Sequence, residues 1–262
     1  MFTAIKASKD DIISLKKSSI KHSLPVHYVH KNGDIQDKKE SLKKLEYGDY
    51  VYPVINTTNY LDHHDDVHFP GIWDKSIDAQ TGKVYLVINH DLSIGKVISY
   101  PRDVQPLVKM MNWSDLGKDY SGQTQALIFK SKMTEKTNKD AFLAYRDGEE
   151  IQHSIRMQYV RLELAINDSR PDFKAEKAVW DKFIDQIANK DKAEEQGFFW
   201  AILEAKIFKE GSAVLFGSND ATPTLYDIDE KGTQPPTSTE GEPEPPTSTQ
   251  SKSIFELINS NF

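Results

Sequence analysis

Apolar and polar residues alternate along the chain in short blocks, which predicts a domain built largely from β-strands. Residues 50–55 and 84–88 are almost continuously apolar, as in strands that are buried on both faces. Shorter apolar blocks bounded by Gly, Pro or charged residues predict further strands at 95–100, 107–111, 124–131, 198–208 and 212–216.

Residues 151–166 predict one long strand. Side chains of a strand point alternately to its two faces. From Ile151 to Tyr159 the odd-numbered residues are mostly apolar, whereas the even-numbered ones, including Ser154, are polar. Ser154 is therefore predicted to lie on a polar face while its neighbours anchor the core.

Helical spacing is found in three places. A weak pattern surrounds Ile12 and Ile13 near the N-terminus. A short helix is predicted over 137–145 and ends at Asp147-Gly148, and a longer helix with an apolar stripe is predicted over 170–195.

Composition narrows the class of protein. The chain has 262 residues, 38% hydrophobic and 28% charged, which suits one soluble domain with tails. It has no cysteine, which excludes disulfides, thiol catalysis and cysteine-based metal sites. The net charge of −7 argues against a general nucleic-acid binder, and no apolar run approaches the roughly 20 residues of a membrane-spanning helix. Neither nucleic acid nor a membrane is an expected partner.

The chain divides by composition into four parts. Residues 1–45 are rich in lysine, and residues 46–225 hold most of the predicted strands and helices. Residues 226–250 include Pro-Pro-Thr-Ser-Thr twice and predict an extended, disordered Pro/Thr/Ser/Glu linker. Residues 251–262 are apolar again, which predicts a docking peptide on a tether or a terminus that packs back on its own domain.

His90 and Ser154 are the candidate catalytic residues. His90 follows the apolar run 84–88, and Ser154 lies in the predicted long strand. A serine becomes a useful nucleophile when a base removes its proton, and an imidazole held by a strand is a suitable base. The strand block at 204–219 adds glutamates able to orient that imidazole.

Three blocks in this order resemble the prohead (capsid maturation) serine proteases of tailed bacteriophages. They are Asn89-His90-Asp91 with the Ile-Gly-Lys-Val that follows, the Gly-to-Ser strand 148–155, and the Glu-bearing pair 204–219 that ends in a small residue and Asn. The resemblance covers about residues 50–222, and it implies that residues 46–225 form a serine protease domain. It implies an α+β fold shared with herpesvirus assemblin, in which a mainly antiparallel β-barrel is ringed by helices.

The resemblance also implies an activity and its substrates. A prohead protease cleaves itself and segments of the scaffold and major capsid protein, inside the immature procapsid in the host cytoplasm. No cofactor or metal is implied, and a homo-oligomer is possible.

Roles carry over from the resemblance to particular residues. Ser154 is implied as the nucleophile, His90 as the base and Glu210, which precedes Gly-Ser-Ala-Val, as the orienting carboxylate. Glu204 has the same parity if the strand is continuous and is the reserve. Arg156 stands where the family often has glycine, and it predicts an altered pocket or a positive charge directed at the oxyanion.

Three other interpretations stay open. His153 is expected in the core or at an edge, as a minor rival to His90. The His/Asp cluster at 63–68 has ligand types that suit zinc, as in a metal-dependent hydrolase, but no compact metal-site spacing, so a solvated loop near the substrate cleft is expected. The third alternative is a catalytically inactive capsid- or scaffold-associated protein that docks through its C-terminal tail.

Overall fold

The computed structural model describes residues 1–20 and 44–228. Most of the predicted linker and the whole C-terminal peptide, 251–262, lie outside the described residues. The linker was expected to begin at 226, but Tyr226 and Ile228 are packed on the domain. The Tyr226 hydroxyl donates to the Tyr145 carbonyl at 2.7 Å, and Ile228 is buried.

The described residues form an α+β fold, which confirms the predicted class. The helices are α1 (Phe2–Ala7), α2 (Lys9–Ser18), α3 (Asp74–Gln80), α4 (Lys139–Asp147), α5 (Lys174–Phe183) and α6 (Lys190–Gln196). The strands are β1 (Tyr50–Thr57), β2 (Asp66–His68), β3 (Tyr85–Ile88), β4 (Val97–Ser99), β5 (Val104–Asn112), β6 (Gln123–Lys132), β7 (Gln152–Ile166), β8 (Phe198–Val214) and β9 (Thr224–Leu225).

The strands are arranged in two sheets. In the first sheet the order is β5-β6-β1-β9, with antiparallel neighbours throughout. In the second, β8 pairs with the antiparallel β7 on one edge and with the parallel β2 and β3 on the other, and β4 continues beyond β3. Within 1–20 and 44–228 neither sheet closes on itself, so the strands form open sheets and not a closed barrel.

The two sheets pack face to face, and they are in close contact at Gly211. A Cβ atom at Gly211 of β8 would lie 2.9 Å from the ring of Phe129 in β6 and 3.0 Å from Ile55 in β1. These residues belong to one buried cluster that also contains Ile155 and Met157 of β7. This part of the core therefore lies between the inner face of β7–β8 and the first sheet.

Local signals placed several elements correctly. The Asn138 side chain accepts a hydrogen bond from the Ala141 N–H at 3.0 Å and begins α4, and Gly148 ends it with a φ of 70°. The predicted strand over 151–166 is β7, in which the odd-numbered residues from His153 to Tyr159 are buried.

The single helix expected over 170–195 is wrong. Helix α5 ends at Phe183, a 3-10 turn covers Ile184–Gln186, and α6 begins only at Lys190. The intervening segment binds another loop: the Ala188 N–H donates to the Asn59 carbonyl at 2.8 Å, and the Asn189 side-chain amide binds both main-chain groups of Leu61. In a continuous helix the Ala188 N–H would donate to a carbonyl of the preceding turn, so its bond to the other loop interrupts the helix.

Two strand predictions also change. The strands expected at 198–208 and 212–216 are one strand, β8, because it stays paired with β7 across a bulge at which Lys209 has a φ of 68°. The strand expected at 95–100 begins as a 3-10 turn over Ile94–Lys96, and only Val97–Ser99 pairs with β3.

The solvated loop expected at 63–68 is wrong in its second half. Asp66–His68 is β2, which pairs in parallel with Trp200–Ile202 of β8 and is buried at all three residues. Tertiary pairing with a central strand has removed these polar side chains from solvent.

Candidate active site

His90 lies at the tip of a tight turn that follows β3. The Asp91 N–H donates to the Ile88 carbonyl at 3.0 Å, and the two residues between them, Asn89 and His90, have φ values of 51° and 57°. Positive φ at both central positions is the pattern of a type I′ turn, for which Asn is well suited. A histidine in this region is uncommon, and such conformations persist where surrounding contacts hold them.

The His90 ring is bonded to Glu210 of β8. Its Nδ1 lies 2.8 Å from Glu210 Oε1, and the glutamate is fully buried. Beside an ionised carboxylate, which only accepts hydrogen bonds, a neutral imidazole carries its proton on Nδ1. The lone pair of that imidazole is then on Nε2, which is the state required of a general base.

Ser154 lies on the same face of the sheet as Glu210. Ser154 of β7 stands directly opposite Ser212 of β8, and opposed residues of an antiparallel pair direct their side chains to one face. Glu210 precedes Ser212 by two residues and shares that face. Ser154 is 7% exposed, so the polar face predicted for it is covered and not open to solvent.

Ser212 joins the strand pair to the His90 turn. Its Oγ accepts a hydrogen bond from the His90 N–H at 2.8 Å and donates to the Val87 carbonyl at 3.2 Å. The residue that faces Ser154 across the sheet thus also holds the main chain of His90. Sequence reasoning missed Ser212, although its place two residues after Glu210 was an available signal.

Arg156 contacts both Glu210 and His90. Its Nε lies 2.8 Å from Glu210 Oε1, and one terminal nitrogen donates to the His90 carbonyl at 2.6 Å. Arg156 stands opposite the β8 bulge, where residues 208–210 face it between two regular pairs, Ile155–Gly211 and Met157–Ile207. The guanidinium is thus placed on the carboxylate, and this geometry favours a role there over the predicted one at an oxyanion.

Glu204, the reserve carboxylate, lies away from His90. It forms an ion pair with Lys75 of α3 at 3.0 Å. Six residues of extended chain separate it from Glu210, a distance of about 20 Å along the strand. Asp91, next to His90 in the chain, accepts from the Ser93 N–H at 2.8 Å within its own loop. Of these three carboxylates, the structure brings Glu210 to the imidazole.

His153 is a buried residue of the opposite face. It is 1% exposed, its Nε2 lies 3.0 Å from the Tyr145 hydroxyl, and its Nδ1 lies 3.0 Å from the Thr222 carbonyl. Burial lowers the pKa of His153 to about 4, because the charged ring would lose its hydration. These contacts give His153 a place in the core, as predicted for it.

A second polar region lies beside Ser154. A small cavity lined by Ser154 is also lined by Asn56, His64, His68 and Asp62. Burial raises the pKa of Asp62 to about 8, and the charge of Asp66 adds to the effect. Because His64 lines the same cavity as Ser154, it is a second histidine to compare with His90.

The residues of the 63–68 cluster have other partners. Asp66 pairs with Lys16 and accepts from the Tyr159 hydroxyl at 2.7 Å, and the His68 Nδ1 lies 2.9 Å from the Asn56 Nδ2. In residues 1–20 and 44–228 no group of three His, Cys, Asp or Glu side chains is arranged to hold a metal ion.

No family model matches the chain, and the comparisons with curated proteins and with solved structures found no match either. In the described part of the chain no helix is long and apolar enough to cross a membrane.

Proposed function

We propose that the protein is a serine endopeptidase in which Ser154 is the nucleophile, His90 the base and Glu210 the orienting carboxylate. The bond of 2.8 Å between His90 Nδ1 and buried Glu210 carries the proposal. Glutamate and histidine side chains are seldom fully buried, and a buried pair of them is typical of a functional site. This pair lies on the face of the sheet that also carries Ser154.

The proposed reaction follows from these positions. Ser154 Oγ attacks the peptide carbonyl carbon while its proton passes to His90 Nε2. His90 then gives the proton to the leaving amine, the C–N bond breaks, and an acyl-enzyme remains. Water attacks the ester with His90 again as the base, which releases the acid and restores Ser154. Glu210 accepts from Nδ1–H throughout and stabilises the imidazolium.

The resemblance of the three sequence blocks extends the proposal to a class. It is a prohead protease whose fold is related to that of assemblin, and it matures a procapsid in the host cytoplasm by cleaving itself and segments of the scaffold and major capsid protein. The His90–Glu210 pair supports that assignment, because the blocks place these two residues in the triad.

Labelling with a fluorophosphonate probe, together with mass spectrometry of self-processing, tests the assignment. Wild type is expected to be labelled on Ser154 and to shorten with time. Ser154→Ala and His90→Ala should do neither while keeping the wild-type circular dichroism spectrum. His64→Ala is the matched control, because His64 lines a cavity with Ser154 but is outside the proposed triad; it should process within about twofold of wild type.

The other outcomes are equally informative. Normal processing by Ser154→Ala would remove the nucleophile assignment. Loss of processing in His64→Ala, with normal processing in His90→Ala, would transfer the role of base to His64. A wild-type protein that is neither labelled nor shortened would favour the catalytically inactive capsid-associated alternative.

A further inference from the structure

We infer that Arg156 is a positioning residue of this site, which holds Glu210 and the His90 turn in register; the inference rests on the proposed function. Arg156 is the residue at which the chain departs from the glycine common in the family it resembles. Its guanidinium contacts the carboxylate and the main chain of the base at the same time.

Arg156 balances the charge of the buried Glu210 carboxylate. Glu210 is fully buried, and a buried carboxylate is costly unless it is paired and hydrogen-bonded. Its Oε1 is approached by His90 Nδ1 and by Arg156 Nε, both at 2.8 Å. In the neutral form that a general base requires, the imidazole supplies a hydrogen bond but no charge, so within the described residues Arg156 is then the cation in contact with Glu210. The Arg156 side chain stays 19% exposed, which limits its own desolvation.

Arg156 also supports the main chain of the His90 turn. Both His90 and Asn89 have positive φ, so the turn that presents the ring needs external support. Ser212 supplies it at the His90 N–H, and Arg156 supplies it at the His90 carbonyl at 2.6 Å. The two main-chain groups of His90 are thus held from β8 and from β7.

The planar side chain of Arg156 therefore contacts both the carboxylate that orients His90 and the main chain that carries it. Arg156 forms an ion pair with the carboxylate oxygen to which the ring is hydrogen-bonded, and it donates a hydrogen bond to the carbonyl of the residue that carries the ring. A guanidinium has several donors in a rigid plane, so it can make both contacts, whereas a lysine ammonium on a flexible chain would make one well. Ser154 lies two residues away on β7, so the same strand carries the nucleophile and the support of the base.

Kinetics of purified full-length Arg156→Met, Arg156→Lys and Arg161→Met test this role on a peptide that contains the self-processing site. Arg161 is the matched control, because it is an exposed arginine on the same strand. For Arg156→Met we expect kcat to fall about 100-fold with KM within about twofold, since misplacing a base by about 1 Å has that effect. Arg156→Lys should lose roughly tenfold, and Arg161→Met less than twofold.

A double-mutant cycle shows whether Arg156 acts through Glu210. If it does, the kcat of the double variant Arg156→Met/Glu210→Gln should be less than about threefold below that of Glu210→Gln alone, since the partner of Arg156 is already lost. A full additional 100-fold loss, or a normal kcat in Arg156→Met, would overturn the inference. A loss in KM alone would instead assign Arg156 to substrate binding and would also overturn it.

A spectroscopic measurement separates failure of this inference from failure of the proposed function. In the Ser154→Ala background, the proton shared by His90 Nδ1 and Glu210 should give a downfield proton resonance in Arg161→Met protein and lose it or broaden in Arg156→Met protein. This readout needs no catalysis. An unchanged resonance in Arg156→Met would reject the positioning role, whether or not the protein is a protease.

Discussion

At the residue scale, three histidines near Ser154 differ in what their surroundings allow. His90 is bonded to a buried carboxylate, His153 is bonded to a hydroxyl and a main-chain carbonyl in the core, and His64 is exposed beside a polar cavity. The separation of each histidine from Ser154 along the chain does not predict these differences. In the proposed mechanism the base needs a partner that orients it, and of these three histidines His90 is the one hydrogen-bonded to a buried glutamate.

The buried state of His153 makes a prediction about stability at acid pH. Its folded-state pKa, about 4, lies below the ordinary value of 6.5, so the unfolded chain binds the proton more readily. The contribution of His153 to the free energy of unfolding is therefore fully present above pH about 6.5. It is lost as the pH falls toward 4, by up to roughly 3 kcal/mol.

Urea denaturation of wild type and His153→Gln at several pH values between 4 and 7 measures this contribution. The difference between the two proteins in the free energy of unfolding should shrink as the pH falls through that window. The same experiment on His64→Gln, an exposed histidine, should show no such change. A constant difference for His153→Gln would mean that its burial is not what sets the pH dependence.

At the element scale, a buried ion pair links α2 to the second sheet. Lys16 is the buried residue of α2, and its ammonium pairs with the fully buried Asp66 of β2. The ammonium also lies 5.5 Å from the centre of the Trp200 ring of β8. This cation therefore links a helix from the lysine-rich N-terminal segment to strands that lead into the site.

Lys16→Met should lower the free energy of unfolding by about 3–5 kcal/mol, because it leaves the Asp66 carboxylate buried without its cation. Lys17→Met is the matched control, since Lys17 is exposed on the same helix; it should change the free energy by less than about 0.5 kcal/mol. The double variant Lys16→Met/Asp66→Asn should recover part of the loss. Chemical denaturation at pH 7 checks all three, and equal stabilities for Lys16→Met and Lys17→Met would contradict the proposed link.

At the scale of the whole molecule, the site depends on the contact between the two sheets. Glu210 and Ser212 face the His90 turn, while Gly211 between them faces Ile55 and Phe129 of the first sheet. The absence of a side chain at Gly211 lets the sheets approach at this point. The packing of the core therefore determines the position of two residues of the site.

Gly211→Ala should destabilise the protein by about 1–3 kcal/mol, because the added methyl group would overlap Phe129 and Ile55. It should also weaken self-processing by more than its stability loss explains, since it displaces the β8 segment that carries Glu210. Gly95→Ala is the control, because a Cβ there meets nothing within 4 Å. Thermal denaturation and processing rates measure both effects, and a Gly211→Ala protein as stable as Gly95→Ala would show that the sheets are less tightly packed here.

Much of the local structure was predictable because it depends on residues close together in the chain. The side-chain alternation of β7 and the ends of α4 at Asn138 and Gly148 follow from backbone geometry and capping. The α+β class follows from the mixture of such elements. The break between α5 and α6 was not predictable, because it arises from hydrogen bonds to a loop more than a hundred residues away.

The sequence by itself determined the strand of Ser154, the end of the apolar run at His90 and the glutamates available to orient an imidazole. Only the tertiary structure decided that Glu210 meets His90, that Glu204 pairs with Lys75 and that Arg156 joins the carboxylate. The physical reason is that alternation along a strand is a local property of the backbone. Which side chains meet depends on register and on the bulge in β8, and these are set by pairing between distant segments.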